Sequence, residues 1–340
     1  MPAPKDRIEP LLVFWEPKLR DAFLAAVNGI RNRVVLAKLT EMIKVGDVEG
    51  AFLAAGLDPI SFRPLSATIE QAYEAGGADA IAGVRPTRGP LGLQISPLFD
   101  IRTPTADYWI RQHSAALVRQ ITEDQRTLIR EAMAPLSSGA DPMMSGQTPQ
   151  KIALDLVGRI NRITGNREGG IIGLTSQQAT WARNYEIELG DVQAGVAPSP
   201  NALTRQWRDA RFDKTVARAI RDGQPISAET RRAMVANYRN RALQYRGNLI
   251  AGHETLTALH ESQLEAWDQA IARGAVAEDK VRRFWVTAGD ERVRPEHRLI
   301  PGMNKGGVGL RQMFDTPDGP RNYPPIDPGC RCRVRVRVVD

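Results

Sequence analysis

The sequence lacks any apolar run long enough to cross a membrane. The longest one near the start covers residues 11–15 and is followed at once by Glu16 and Pro17, whereas a membrane helix needs about 20 apolar residues. The first residues also lack the apolar core and the small-residue cleavage site of a secretory signal. We therefore expect no membrane partner, and we expect the chain to stay in the cytoplasm in which it is made.

Cysteine is nearly absent. Among 340 residues only Cys330 and Cys332 are cysteines, and histidine occurs four times. Thiols are normally kept reduced in a cytoplasm, so a disulfide framework is excluded as a source of stability.

Familiar catalytic motifs are missing as well. The sequence has no Gly-X-Ser-X-Gly elbow and no Walker phosphate loop. A zinc protease motif beginning at His253-Glu254 would need a second histidine four residues after the first, where Thr257 stands instead. Glu254 is better explained as an ion-pair partner, in a helix that also carries Arg246. We therefore predict that the chain is not an enzyme.

The charge that is present is basic and unevenly placed. The chain has 46 Lys or Arg residues against 39 Asp or Glu residues, which gives a formal net charge of +7. Residues 281–340 contain twelve of these basic residues and seven of the acidic ones. A basic surface permits contact with nucleic acid or with an acidic protein, and we expect such contact at the C-terminal end.

Helical periodicity runs through most of the chain. Apolar residues recur at helical spacing, and the predicted helices lie within residues 8–56, 66–74, 105–134, 148–163, 175–189, 201–221 and 227–272. Glycines and prolines interrupt the pattern between residues 76 and 104 and predict a loop. Strand character appears only at residues 282–287 and 331–339. The prediction is a mainly α protein with a small C-terminal α+β module of short antiparallel strands.

These interruptions divide the chain into four predicted segments. Residues 1–134 form an N-terminal helical region, and residues 135–147, rich in Ser, Gly, Pro and Met, form a linker. Residues 148–274 form a helical domain around a long spine helix, and residues 275–340 form the basic C-terminal module. A chain of 340 residues is long enough for more than one domain.

The final strand has two chemically different faces, because side chains alternate along a strand. One face carries both cysteines and a series of valines. The other face carries four arginines, here called the arginine row: Arg331, Arg333, Arg335 and Arg337. These arginines could stop an edge strand from pairing with other chains. They could equally face DNA phosphates or acidic groups, because guanidinium forks match phosphate oxygens.

The two cysteines raise the question of a metal site. Both thiols could point at one ion if a histidine came near, and His297 is the only histidine in the C-terminal module. That gives three candidate ligands, His297, Cys330 and Cys332, whereas a closed structural zinc site takes four. The alternative is that the thiols pack as small hydrophobic groups. We predict packed thiols with no metal or cofactor, and zinc at these three residues stays as the alternative.

Several residues of the C-terminal part occur in an informative order. A long helix with a glutamate precedes a strand with a tryptophan, an Asp-X-Arg segment, a histidine, a Pro-Pro pair and a Cys-Arg-Cys strand. These residues are Glu254, Trp285, Asp290, Arg292, His297, Pro324, Pro325, Cys330 and Cys332. In this order the chain resembles the phage Mu F-like head-morphogenesis family over residues 150–340, and the resemblance gives these residues structural roles.

The resemblance implies a structural minor head protein of a tailed bacteriophage, found in the virion and made in the host cytoplasm. Such a protein would associate with the portal protein and other head proteins during procapsid assembly. Its basic module would contact packaged double-stranded DNA. Two alternatives stay open at this point. One is a nucleic-acid-modifying or nucleotide-dependent enzyme delivered with the virion, with a site at His297, Asp290, Glu291 and the arginines. The other is a DNA-binding module that uses the arginine row.

Overall fold

The chain is mainly helical, with short antiparallel strands. The computed structural model describes residues 8–84, 86–88, 93–137 and 147–339. Within these ranges the largest sheet has three strands and lies near the C-terminus, which confirms the predicted fold class. No helix of the described ranges is long and apolar enough to cross a membrane.

The helices and strands of the described ranges are numbered in chain order. The helices are α1 (Ile8–Arg33), α2 (Leu36–Lys44), α3 (Val48–Ala54), α4 (Arg63–Ile81), α5 (Pro104–Ser137), α6 (Pro149–Val157), α7 (Ser176–Glu188), α8 (Asp213–Asp222), α9 (Ala228–Ala272) and α10 (Pro295–Met303). The strands are β1 (Thr87–Arg88), β2 (Gln94–Ile95), β3 (Arg159–Ile160), β4 (Arg167–Glu168), β5 (Val281–Val286), β6 (Val308–Gly309) and β7 (Arg333–Val338).

Two helices begin at the start of their predicted ranges, directly after a capping threonine. The Thr148 hydroxyl accepts a hydrogen bond from the backbone N–H of Lys151 at the start of α6. At the start of α7, Thr175 and Gln178 form a reciprocal capping box. The end of α6 was predicted too late. Gly158 adopts a φ of 85° that stops the helix at Val157, so the apolar residues beyond it do not continue the helix.

The predicted loop from residue 76 begins too early, because α4 continues through Gly76 and Gly77 to Ile81. A Cβ atom at Gly76 would lie 2.8 Å from Leu259 Cδ2. One at Gly77 would lie 2.6 Å from Cδ1 of Phe99. These two glycines therefore mark close packing against the helix, and they do not end it.

The C-terminal sheet has the strand order β6-β5-β7, and both pairings are antiparallel. β7 pairs along the whole length of β5, so Val281 lies opposite Val338 and Trp285 lies opposite Val334. Both strands predicted for this module exist, but the second begins two residues later than predicted, at Arg333, so that Cys330, Arg331 and Cys332 precede it. The two-residue strand β6 was not predicted, since two residues carry no periodicity.

Internal contacts divide the chain into two units, each assembled from separate stretches. Unit 1 comprises Met1–Ala22, Pro64–Ala115 and Asn248–Asp340, and unit 2 comprises Phe23–Arg63 and Ala116–Gly247. The helices α1, α5 and α9 contribute residues to both units. Most of the predicted linker falls on residues 138–146, which lie outside the described residues, so the predicted domain boundaries stay predictions.

In unit 2, buried arginines hold the segment that precedes α7. Arg31 donates hydrogen bonds to the carbonyl oxygens of Gly170 at 2.8 Å and Ile172 at 3.1 Å. Arg246 donates to the carbonyl oxygen of Gly173 at 3.0 Å. Burial lowers the pKa of Arg31 to about 10. These guanidinium groups supply the donors that backbone carbonyls need when they are buried outside secondary structure.

In unit 1, the C-terminal sheet packs its buried face into a small core. The core residues are Trp285, Ile300, Phe314, Cys330, Cys332 and Val334. The rings of Trp285 and Phe314 meet nearly edge to face, with centroids 5.3 Å apart. Both cysteines lie directly before β7 and are buried in this core, as the alternation predicted.

Candidate functional site

A cluster of His297, Cys330 and Cys332 lies in the core of unit 1. Pro295 occupies the first turn of α10 and starts a helix that carries His297 inward, where its side chain is 2% exposed. His297 Nδ1 lies 3.7 Å from Cys330 Sγ and 3.9 Å from Cys332 Sγ. All three ligand atoms lie within 4.8 Å of one another. The structure thus joins the three residues that the sequence analysis named as candidate ligands.

The outer side of the His297 ring faces a carboxylate. His297 Nε2 lies 3.4 Å from Asp327 Oδ2 and makes no hydrogen bond. Arg294 also approaches this carboxylate at 3.5 Å and donates to the carbonyl oxygen of Pro328 at 3.0 Å. Asp327 was not singled out in the sequence, although its position in the loop before the Cys-X-Cys segment was visible.

The two cysteines titrate as a pair. A hydrogen bond from the Cys332 thiol lowers the pKa of Cys330, and the backbone N–H groups of Cys332 and Ile326 act in the same direction. That hydrogen bond, with burial and the charge on Cys330, raises the pKa of Cys332. Each thiol therefore shifts the pKa of the other.

The first half of the arginine row is ion-paired within unit 1. Arg331 forms a bidentate pair with Glu16 of α1, with one contact at 3.0 Å. Arg333 Nη2 lies 2.6 Å from a carboxylate oxygen of Glu9, also in α1. These glutamates are more than 300 residues away in sequence, so no local pattern could have identified them.

The second half of the arginine row lies along the outer face of β7. Arg335 is opposite Phe284 in the pairing with β5, and the Arg337 guanidinium lies 5.4 Å from the centre of the Phe284 ring. Within the described ranges, neither of these arginines has an ion-pair partner. The prediction that the row faces DNA or acidic groups stays a prediction for these two positions.

A cavity of about 570 Å³ borders the histidine–cysteine cluster. All three cluster residues line it. Its charged lining residues are Glu9, Glu16, Asp290, Arg292, Arg294, Arg331 and Arg333. The cavity therefore combines carboxylates and guanidinium groups around a thiol and imidazole surface.

Asp290, one of the predicted motif residues, caps the turn that follows it. Its Oδ1 accepts a hydrogen bond from the Arg292 N–H at 3.1 Å.

Glu254 is buried and pairs with a histidine. Its Oε2 atom lies 2.5 Å from His113 Nε2, and the His113 ring stacks on Trp109 with centroids 4.5 Å apart. Arg246, on the same helix, pairs with Asp124 instead. Glu254 is thus an ion-pair partner, as expected, but its partner comes from α5.

His260 connects α9 to the C-terminal strand and was not singled out as functional in the sequence. Its Nδ1 donates to the carbonyl oxygen of Pro324 at 2.7 Å, and its Nε2 accepts from the Val334 N–H at 3.1 Å. Both bonds together define the neutral tautomer with the proton on Nδ1. A cis peptide bond joins Pro324 to Pro325. The Pro-Pro pair of the motif is therefore held in place by a helix histidine.

The comparisons with known proteins address the same part of the chain. Residues 210–335 match the protein family described as Phage Mu protein F like protein. The match covers a little over a third of the chain and takes in α9, β5, α10, β6 and the whole histidine–cysteine cluster. No curated protein and no solved structure matches the chain. The resemblance expected from the order of the C-terminal residues is confirmed: residues 210–335 match the model of the phage Mu protein F-like family.

Proposed function

We propose that this protein is a structural minor head protein of a tailed bacteriophage and that it enters the head during procapsid assembly. The observation that carries the proposal is the family match over residues 210–335, which supports a role in phage head morphogenesis. The proposed location is the virion head, after synthesis in the host cytoplasm.

The proposed partners are the portal protein and other head proteins. An exposed apolar face on α10 supports this choice. Leu299 and Met303 lie one helical turn apart and are 59% and 47% exposed. Apolar side chains that share an exposed face are typical of protein contact surfaces.

Contact with packaged DNA is the second part of the proposal, and it is assigned to Arg335 and Arg337. Arg331 and Arg333 are neutralised by Glu16 and Glu9. Arginines without interleaved aromatic residues bind phosphates irrespective of base sequence, and their binding weakens with salt. Contact of this kind would allow the protein to bind packaged DNA of any base sequence.

The proposed role is structural and not catalytic. Glu254 is bonded to His113, and both ring nitrogens of His260 are engaged by backbone groups. These bonds hold helix, loop and strand together. They explain the presence of Glu254 and His260 without a catalytic role. Hydrolysis of DNA or RNA by the purified, folded protein would contradict this part.

The proposal is tested in the phage or prophage that encodes the chain. We expect deletion of the gene to lower the yield of infectious particles and a plasmid copy to restore it. A tagged copy should co-purify with the portal protein from infected cells. Leu299→Glu with Met303→Glu should reduce this co-purification, whereas Leu53→Glu, at another exposed helix position, should not. A deletion that leaves the infectious titre unchanged would contradict the proposal.

A further inference from the structure

We propose that His297, Cys330 and Cys332 bind one zinc ion and that the fourth coordination position faces the adjoining cavity. The inference concerns the C-terminal module itself and does not depend on the head-assembly role. It departs from the expectation of packed thiols, and it rests on the arrangement of the three side chains.

The two distances from His297 Nδ1 to the sulfurs are close to those around a tetrahedral ion. With bonds of about 2.3 Å to sulfur and about 2.0 Å to nitrogen, the ligand atoms of tetrahedral zinc lie roughly 3.5–3.8 Å apart. The two distances from His297 Nδ1 are 3.7 Å to Cys330 Sγ and 3.9 Å to Cys332 Sγ. Their near equality favours a common centre over a hydrogen bond from the imidazole to one sulfur.

The surroundings of His297 favour the tautomer that metal binding at Nδ1 requires. A metal bound at Nδ1 requires the proton to lie on Nε2. That nitrogen is buried without a hydrogen bond, and the Asp327 carboxylate lies 3.4 Å from it. Metal-bound histidines commonly direct the second ring N–H at a carboxylate, which orients the ring and strengthens it as a ligand. Asp327 is placed for this role.

The ligand set points to zinc among the biological divalent ions. Two thiolates and one imidazole are soft or borderline donors, which magnesium and calcium disfavour. The two cysteines lie two residues apart directly before β7, and both side chains enter the same small core.

Three protein ligands leave one position of a tetrahedron for a water molecule. All three ligands line the cavity of about 570 Å³, from which that water would come. The ion would join α10 to the last strand. It would supply in a reducing cytoplasm the cross-link that a disulfide supplies elsewhere.

Metal analysis of the full-length protein tests the inference. The chain is purified under reducing conditions without chelators, and its metal content is measured by plasma mass spectrometry. We expect one zinc per chain. Cys330→Ser, Cys332→Ser and His297→Gln should each abolish it, while His253→Gln, on α9, should retain it. Asp327→Asn should weaken zinc binding by about 10–100-fold in competition with a chromogenic chelator.

Cobalt gives a readout that does not depend on how the variants fold. Addition of cobalt to the metal-free wild-type protein should produce thiolate-to-cobalt charge-transfer absorption and the intense visible bands of four-coordination. Wild-type protein that is folded by circular dichroism but takes up neither zinc nor cobalt would overturn the inference. So would zinc that remains at one per chain in folded Cys330→Ser and Cys332→Ser, or a different metal bound at one per chain.

Discussion

The Arg283 guanidinium donates a hydrogen bond of 2.6 Å to the carbonyl oxygen of Asn322. It also donates to the carbonyl oxygens of Gly309 and Gln312. Arg283 lies on the buried face of β5 and is 1% exposed, and burial lowers its pKa to about 10. One side chain of the central strand thus fixes the loop that leads from β6 to the Pro-Pro pair.

Replacement of this arginine should destabilise the protein. Arg283→Met removes one donor from each of three carbonyl oxygens, and we expect the free energy of unfolding to fall by about 3 kcal/mol. Urea denaturation followed by circular dichroism measures it. Arg282→Met, at the half-buried neighbouring position, should cost less than about 1 kcal/mol. Equal effects of the two substitutions would show that the loop does not depend on Arg283.

The connection through His260 gives a second test. His260→Ala leaves the Val334 N–H and the Pro324 carbonyl oxygen buried without partners, and each such group costs about 1–3 kcal/mol. We therefore expect a loss of about 2–4 kcal/mol in the unfolding free energy. His253→Ala removes the same side chain one heptad earlier on α9 and should cost clearly less. A smaller loss at His260 than at His253 would contradict the assigned bonds.

Stability should also depend on pH through Glu261. Burial raises the pKa of this carboxyl, and the neighbouring Glu265 adds to the effect. The folded state therefore binds more protons than the unfolded state above the ordinary glutamate pKa of about 4.3. The free energy of unfolding should fall as pH rises from there through the raised pKa.

Glu261→Gln removes this dependence while it keeps an acceptor for the Tyr323 hydroxyl, which bonds to Glu261. The variant should be more stable than the wild type once pH exceeds the raised pKa. Urea denaturation across the pH range measures the difference, with the exposed Glu291→Gln as control. Parallel curves for Glu261→Gln and the wild type would rule the effect out.

The arginine row makes a prediction about DNA. Arg335→Gln with Arg337→Gln should weaken binding to duplex DNA and reduce the slope of log affinity against log salt by about 2, because each lost phosphate contact removes about 0.9. Glu16→Gln should have the opposite effect, since it removes the carboxylate that is paired with Arg331. Fluorescence anisotropy at several salt concentrations measures both changes.

The matched control for that experiment is Arg331→Gln with Arg333→Gln. These arginines are already paired with glutamates, so their loss should change DNA affinity little. If this control weakens binding as much as the outer pair does, the ion pairs with α1 do not shield the arginines. If the outer pair has no effect, the row serves solubility or a protein partner.

Local patterns in the sequence predicted the parts of the fold that depend on neighbouring residues. Thr148 and Thr175 start helices because a hydroxyl needs only an N–H two or three residues later. The alternation of Cys330 and Cys332 with Arg331 was enough to predict that the two cysteines are buried and that Arg331 is exposed. The family resemblance also rested on residue order within one stretch of chain.

Features that depend on distant residues could not be predicted in this way. Gly76 and Gly77 resemble a helix end until Leu259 and Phe99 are seen to occupy the space of their side chains. The burial of Arg283 could have been predicted from the sequence, because it lies two residues before Trp285 and therefore on the same face of the strand.

The same limit applies to the charge pattern. The partners of Arg331 and Arg333 lie in the first helix, and no spacing rule connects them. The sequence therefore predicted a row of four equivalent arginines. In the structure the row consists of two paired and two unpaired ones within the described ranges.

The composition of purified virions tests the central claim most directly. Quantitative mass spectrometry of nuclease-treated and protease-treated particles should find this chain at a fixed ratio to the portal protein, in heads separated from tails as well as in whole virions. If the chain is abundant in infected cells but missing from such heads, it is not a minor head protein.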